Sequence, residues 1–219
     1  MALALLALVL SPGESPPSEP DDLCSIFEQK RHWYESARRS KETWGVPEAV
    51  QLAVIYQESG FRARARPPRK RLLWIFPGPR PSSAFGYAQV LDSTWESYAR
   101  ETGHRHALRD DFAEVTWFIG WYGDMIHRAT AVAKDDAYHL YLAYHDGPGG
   151  FLRGTHLGQP WLLGVARQVE ARADRYGLQY RDCAERLRHP GTWRVWLALA
   201  VFLAAALGIR KGLQRLRRR

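Results

Sequence analysis

The stretch Pro47-Glu48-Ala49-Val50-Gln51-Leu52-Ala53-Val54-Ile55-Tyr56-Gln57-Glu58-Ser59-Gly60-Phe61 decides the fold. Proline at the first helical position has the φ a helix needs and lacks only an N–H that would find no partner there. Val50, Leu52, Ala53, Val54 and Ile55 make the segment apolar nearly all round, as a core helix is, and Gly60 stands where a C-terminal cap belongs. A buried helix is therefore predicted, with Glu58 in its last turn. A carboxylate there faces the negative end of the helix macrodipole and apolar neighbours such as Ile55 and Phe61, and both disfavour the anion.

Working outward, Ile26, Phe27, Trp33, Tyr34 and Ala37 fall on one helical stripe from Ser25 to about Thr43, ended by Gly45. Ser93 with Glu96 and Asp111 with Glu114 have capping-box spacing and predict two more helix starts. Another helix is expected from Asp135 to Gly147, and a last long one from Pro160 to about Leu187. No run of alternating strands and no internal repeat is visible, so the domain is expected to be all or nearly all α. Arg62 to Ser83, with five prolines and seven basic residues around Leu72-Leu73-Trp74-Ile75-Phe76, reads as a long loop. Its apolar centre is expected to dock on the domain, since five adjacent large apolar residues are costly to leave wet; a basic, aromatic lip beside a cleft is the alternative.

Two further segments follow Glu58-Ser59-Gly60-Phe61 in order: Gly86-Tyr87-Ala88-Gln89 and Ala143-Tyr144-His145-Asp146-Gly147. Each alone is weak, but the ordered set resembles the three motifs of the soluble-type lytic transglycosylases over about Cys24 to Tyr180. The resemblance implies a lysozyme-like α-helical fold. It also implies cleavage of the β-1,4 bond between N-acetylmuramic acid (MurNAc) and N-acetylglucosamine (GlcNAc) in peptidoglycan without water as nucleophile. Glu58 would protonate the leaving sugar and then take the proton of the muramic acid's hydroxymethyl group, closing a 1,6-anhydro ring. By the same resemblance the substrate's acetamido group stabilises the cationic centre, so one carboxyl group suffices, an exception to the two-carboxylate rule.

The other motif positions carry over residue by residue. Ser59 either helps hold the hydrogen bonding beside the acid or bonds its own helix backbone. Gln89 corresponds to the family's cleft glutamine, whose amide both donates and accepts. Tyr144 corresponds to the tyrosine that bonds the catalytic carboxyl group; without the other motifs it reads as a core aromatic. Tyr87 and Ala88 replace the commoner Leu and Met, reshaping a wall beside the sugar, and His145 replaces Asn, adding a group that titrates near neutrality. Substrate contacts are thus expected from Ser59, Tyr87, Gln89, Tyr144 and His145. Trp117, Phe118, Trp121 and Tyr122 read as the centre of a helical bundle. Neither His104 with His106 nor His139 with His145 joins a Cys or Asp at ligand spacing, so no metal is predicted, and the chemistry calls for no cofactor.

The 219 residues suffice for one well-buried core plus terminal appendages. Of the formal charge of +8, six positive charges lie in the last ten residues, leaving +2 for the rest, which is not the footprint of a nucleic-acid binder. Val195 to Ile209 carries no charge, follows Trp193 and Arg194, and precedes that basic tail. It reads as a short membrane span, with Arg194 snorkelling outward and the tail held inside. The expected organisation is an export-signal core at 1–11, a flexible linker at 12–23, the domain at 24–187, a linker at 188–192, the span at 193–209 and a cytoplasmic tail at 210–219. That order puts the domain in the periplasm against the bacterial inner membrane, with peptidoglycan glycan strands as partner and an envelope-spanning assembly as a further one. Cys24 and Cys183 either bridge the ends of the domain or remain separate thiols. A muramidase-type hydrolase of the same fold and a non-catalytic wall-binding scaffold are the competing functional readings.

Overall fold

A computed structural model describes residues 14–69, 71–72, 76–77 and 79–189. The expected signal core, membrane span and basic tail lie outside the described residues. Among those described, no helix is long and apolar enough to cross a membrane. The chain forms two compact units, Met1–Tyr180 and Arg181–Arg219, and the elements that build the site belong to the first.

Among the described residues seven helices carry the fold: α1 Leu23–Gln29, α2 Arg31–Trp44, α3 Glu48–Ser59, α4 Asp92–Thr102, α5 Phe112–Thr130, α6 Ala137–Leu152 and α7 Pro160–Arg188. A short 3-10 turn, Thr155–Gly158, precedes α7. Among the described residues β1 Arg71–Leu72 pairs antiparallel with β2 Phe76–Pro77, in register Arg71 to Pro77 and Leu72 to Phe76, and Phe85 forms an isolated bridge with Val90. Within the Arg62–Ser83 segment, expected as a loop, residues 71–72 and 76–77 thus pair, while Leu73, Trp74 and Ile75 of its expected docking centre lie outside the described residues.

The α3 segment behaves as its composition dictates, with Leu52, Ala53, Val54 and Ile55 fully buried. Its first residue, Glu48, is buried too, and its carboxylate is held by Lys41 Nζ at 2.8 Å and by the Tyr180 hydroxyl at 3.2 Å. A negative charge at a helix N-terminus also meets the favourable end of the dipole. The pairing of α2 with α5 is close, because a Cβ on Gly120 would lie 2.3 Å from Ser40 Oγ. Ser40 in turn donates to the Thr116 carbonyl at 2.7 Å. Phe118 and Ile119 of α5, Leu140 and Leu142 of α6, and Leu162, Ala166 and Val169 of α7 are all buried in the core.

Several boundaries differ from the sequence reading. The expected helix from Ser25 to Thr43 is two, broken at Lys30 (φ −123°, ψ 67°), where neither Gly nor Pro marks the break. Asp22 caps the first by accepting from the amides of Cys24 and Ser25. The Ser93 box is not formed: α4 starts at Asp92, whose amide is met by Ser83 Oγ at 3.1 Å. Asp111 does cap α5, but Glu114 turns to His104 at 2.8 Å instead of completing the box. Asp136, not Asp135, caps α6. Residues 14–22, expected to be a flexible linker, are tied down: Trp33 Nε1 donates to Glu14 at 2.6 Å, Ser18 to Gln29 at 3.0 Å, and Arg172 pairs with Asp21 at 2.5 Å. Composition favours disorder there, but side-chain partners on α1, α2 and α7 outweigh it.

Candidate active site

A cleft of about 630 Å³ is lined by Glu58 of α3, Gln89 and Val90 of the loop before α4, Phe118 and Tyr122 of α5, and Tyr144 to Gly147 of α6. All three sequence motifs thus converge on one concavity. Glu58 is half-buried in the last turn of α3, which ends in left-handed Gly60 (φ 58°). Burial pushes its carboxyl pKa from 4.5 up to about 7, although a hydrogen bond from Tyr141 and the charge of His145 act in the opposite direction. Desolvation wins because ionising an acid surrounded by protein forfeits hydration that one donor does not replace.

The hydroxyl that meets Glu58 belongs to Tyr141, donating to Oε1 at 2.9 Å. This corrects the expectation for Tyr144, whose hydroxyl donates instead to the Ala88 carbonyl at 2.8 Å. The two tyrosines lie one turn apart on α6 with near-parallel rings 6.3 Å apart, so the same face presents both and the earlier one reaches the acid. Tyr144 keeps a place in the cleft wall and ties α6 to the Gly86–Gln89 turn. Burial, with Glu58 close by, raises both phenols well above their usual range, so both remain protonated donors at neutral pH.

The Gly86–Gln89 turn is shaped by close approach. Gly86 has φ 84°, and a Cβ there would lie 2.0 Å from the Arg109 carbonyl oxygen, so no other residue fits. Gln89, itself left-handed at φ 48°, donates through Nε2 to the carbonyls of Ala65 and Gly86, both at 2.9 Å. Both amide hydrogens are used, leaving Oε1 as the acceptor Gln89 can offer the cleft.

Two expected contacts are not placed at the cleft. Tyr87 is 1 % exposed and packs edge-on against Trp33 and Phe112, at 5.7 and 5.4 Å between ring centres. Alternation would put Tyr87 and Gln89 on one side, but the left-handed backbone at Gly86 and Gln89 breaks it. Ser59 is buried and donates to the Ile55 carbonyl at 3.1 Å, the backbone-bonded alternative. His145 does line the cleft, its Nδ1 2.9 Å from Asp146 Oδ1.

Sequence reasoning missed the roles of four residues at the site. Phe118 and Tyr122 were expected in the bundle centre, yet they line the cleft as stacked rings 5.5 Å apart, with Tyr144 edge-on to Tyr122 at 5.4 Å. Tyr141 sits between Leu140 and Leu142 and reads in sequence as part of an apolar helix core, although its spacing from Tyr144 is a signal. Asp146, within the third motif, reads in sequence only as one candidate for a second acid. Its carboxylate accepts from Thr155 at 2.5 Å and from Gln159 at 3.2 Å as well as facing His145, and these bonds hold its pKa below the usual carboxylate range despite partial burial. Among the described residues no group of three or more His, Cys, Asp or Glu could hold a metal ion.

An α-helical domain whose buried helix brings a glutamate of raised pKa to an aromatic-walled cleft is consistent with the lysozyme-like, glycan-cleaving class. The family described as the transglycosylase SLT domain matches residues 1–183, and the chain belongs to it. No curated protein and no solved structure matches the chain. Family membership carries a lytic-transglycosylase type of function, directed at peptidoglycan.

Proposed function

We propose that the protein cleaves the MurNAc-β-1,4-GlcNAc bond of peptidoglycan with formation of a 1,6-anhydro ring, and that Glu58 serves as general acid and then as general base. The observation that carries this reading is a cleft carboxyl group with a pKa of about 7, which is available in both protonation states at neutral pH. A catalytic group works best when its pKa lies near the working pH, because the same residue must give a proton and take one back. In the first step Glu58 protonates the glycosidic oxygen, the bond from that oxygen to the anomeric carbon breaks, and the GlcNAc side leaves as an alcohol. In the second, the C6 hydroxyl of MurNAc attacks the anomeric carbon and its proton passes to the Glu58 carboxylate. Water is neither consumed nor released. Tyr141 fixes the carboxyl through Oε1, and Gln89, Tyr144 and His145 contact the sugars from the facing wall.

Asp146 is the observation favouring the hydrolytic alternative, since it is a second carboxylate lining the same cleft. Its oxygens, however, are engaged by Thr155, Gln159 and His145, which suits a structural brace better than a base holding water. Mass analysis of products from purified sacculi separates the readings. Anhydro ends are expected; reducing ends, heavier by one water, would overturn ring closure. Glu58→Gln is expected to abolish release while sacculus binding persists, and unchanged turnover would refute Glu58 as the acid.

We further propose that residues 193–209 anchor the protein in the bacterial inner membrane with the domain in the periplasm, where cutting beside an envelope-spanning assembly would be local. The uncharged run flanked by Trp193 and a basic tail supports this. Protease digestion of intact spheroplasts is expected to remove the domain; a protected domain would refute the topology. A Cys24–Cys183 bridge belongs to the same proposal, supported by the absence of a free thiol. Intact mass under non-reducing conditions would show two hydrogens missing, and two alkylatable thiols would dispose of the bridge.

A further inference from the structure

We propose that Trp161, at the start of α7, is the platform of an additional sugar subsite that extends the cleft beyond His145, and that Asp146 is the residue that positions it. The inference rests on the glycan-cleaving reading above.

Trp161 is 58 % exposed, an unusual state for the largest apolar side chain when the same domain buries Trp33 completely. It is not isolated on the surface. Its ring stands edge-on to His145 at 5.1 Å and 79°, and His145 is part of the cleft lining. The exposed indole therefore adjoins the cleft through His145, just outside the residues that line it.

The same corner is braced more heavily than a solvated turn requires. The Asp146 side chain is only 7 % exposed, and it accepts from Thr155 Oγ1 at 2.5 Å and from Gln159 Nε2 at 3.2 Å. Those partners bracket the 3-10 turn that leads into Pro160 and Trp161. Asp146 also faces His145 Nδ1 at 2.9 Å, so one carboxylate fixes both members of the pair relative to α6. Just after it, Gly147 leaves helical geometry at φ 71°, ψ 158°, a region open essentially to glycine, and turns the chain toward that corner. A fixed aromatic face at a groove end, with a polar ring edge beside it, suits a pyranose: its axial C–H face packs on the indole and its hydroxyls meet the imidazole. An amphipathic aromatic with few rotatable bonds provides such contact at low entropic cost. Adjacency to the cleft favours the next sugar of the same strand over a lipid surface.

The test uses full-length protein carrying Glu58→Gln, so that binding is measured without turnover. Affinities are measured by calorimetry for β-1,4-linked GlcNAc trisaccharide and hexasaccharide, with Trp161 present, Trp161→Ala and Trp161→Phe. With Trp161 the hexasaccharide is expected to bind about tenfold more tightly than the trisaccharide, equivalent to about 1.4 kcal/mol. Trp161→Ala should erase that ratio and Trp161→Phe should retain most of it, which separates loss of the platform from loss of the fold. Asp146→Asn should reduce the ratio with Trp161 intact. A length preference that survives Trp161→Ala overturns the subsite. So does Trp161-dependent sedimentation with anionic phospholipid vesicles in the absence of any length preference. Cleavage of sacculi by protein with Glu58 intact tests the underlying reading separately: if sacculi are cut but both oligosaccharides bind alike, the subsite alone fails. If sacculi are not cut and neither sugar binds, both fail.

Discussion

Removing one oxygen tests how the catalytic acid is tuned. In Tyr141→Phe the ring stays in place against Tyr144, but the 2.9 Å donor to Glu58 is lost. That hydrogen bond favours the carboxylate, so its loss raises the Glu58 pKa further above about 7. A hydrogen bond to a charged group contributes about 1.5–3 kcal/mol, and a tenfold change in protonation corresponds to about 1.4 kcal/mol. Glu58 is half-buried and water replaces part of the lost donor, so the lower end applies, a displacement of about one pH unit. The alkaline limb of the kcat/KM profile, which reports loss of the protonated acid, should move up by that amount. Maximal kcat should fall about tenfold to a hundredfold, because the carboxyl is no longer held at one angle to the scissile bond. Release of soluble glycan from labelled sacculi across pH provides the measurement. An alkaline limb that stays put, or moves to lower pH, would refute the assignment of Tyr141 as the group that orients and tempers Glu58.

Glu58 should also leave a trace in stability. Its folded-state pKa is above the ordinary 4.5, so the folded protein binds more protons than the unfolded chain between about 4.5 and 7, and stability is lost as pH rises through that window. Glu58→Gln is expected to be more stable than the natural protein at about pH 8, by at most about 3 kcal/mol before allowance for solvent screening, with the difference vanishing near pH 4. Urea melts at both pH values check the sign. Replacing His145 by Asn removes a positive charge that lowers the Glu58 pKa, so the alkaline limb should again extend upward, and superimposable profiles would count against the pairing. Gly86→Ala combines a left-handed φ with a Cβ 2.0 Å from the Arg109 carbonyl oxygen and should cost roughly 3 kcal/mol of unfolding free energy. A loss below about 1 kcal/mol would mean the turn relaxes freely.

The parts of the fold legible in sequence were those governed by local chemistry. The all-round apolar run after Pro47 specified a core helix, and Gly60 specified where it stopped; nothing outside the segment was needed. Asp111 was readable as a cap for the same reason. The break at Lys30 was not, because it carries none of the residues that signal a stop. The docking of residues 14–22 depends on Trp33 and Arg172, distant in sequence, and local composition pointed the other way. At the site, motif order identified Glu58, Gln89, Tyr144 and His145 as cleft residues. It could not say which way a side chain in a turn faces, so Tyr87 was placed at the cleft when its ring belongs to the Trp33–Phe112 cluster. Nor could it say which of two tyrosines on one helical face reaches the acid, a question settled by the hydrogen bond from Tyr141 of α6 to Glu58 of α3.

Strain lies beside two polar groups of the cleft, Glu58 and Gln89, and its position argues for function. Phe61 and Gln89 are two of the three non-glycine residues with positive φ among those described, at 61° and 48°. Each such residue costs about 1–3 kcal/mol and persists only where its surroundings over-determine it. Phe61 follows the cap of the helix that presents Glu58, and its ring is fully buried between Trp33 and Tyr56, at 5.6 and 5.7 Å. Gln89 is locked by two backbone carbonyls. The third, Ala131, merely ends α5, where a left-handed residue is an ordinary helix stop. Burial of one large aromatic ring, worth on the order of 2–3 kcal/mol, is enough to offset the first strain, and two hydrogen bonds of about 1 kcal/mol each offset the second. The acid and the amide are thus both set by backbone that a relaxed chain would avoid, which is the arrangement expected where geometry at the reacting bond matters more than stability.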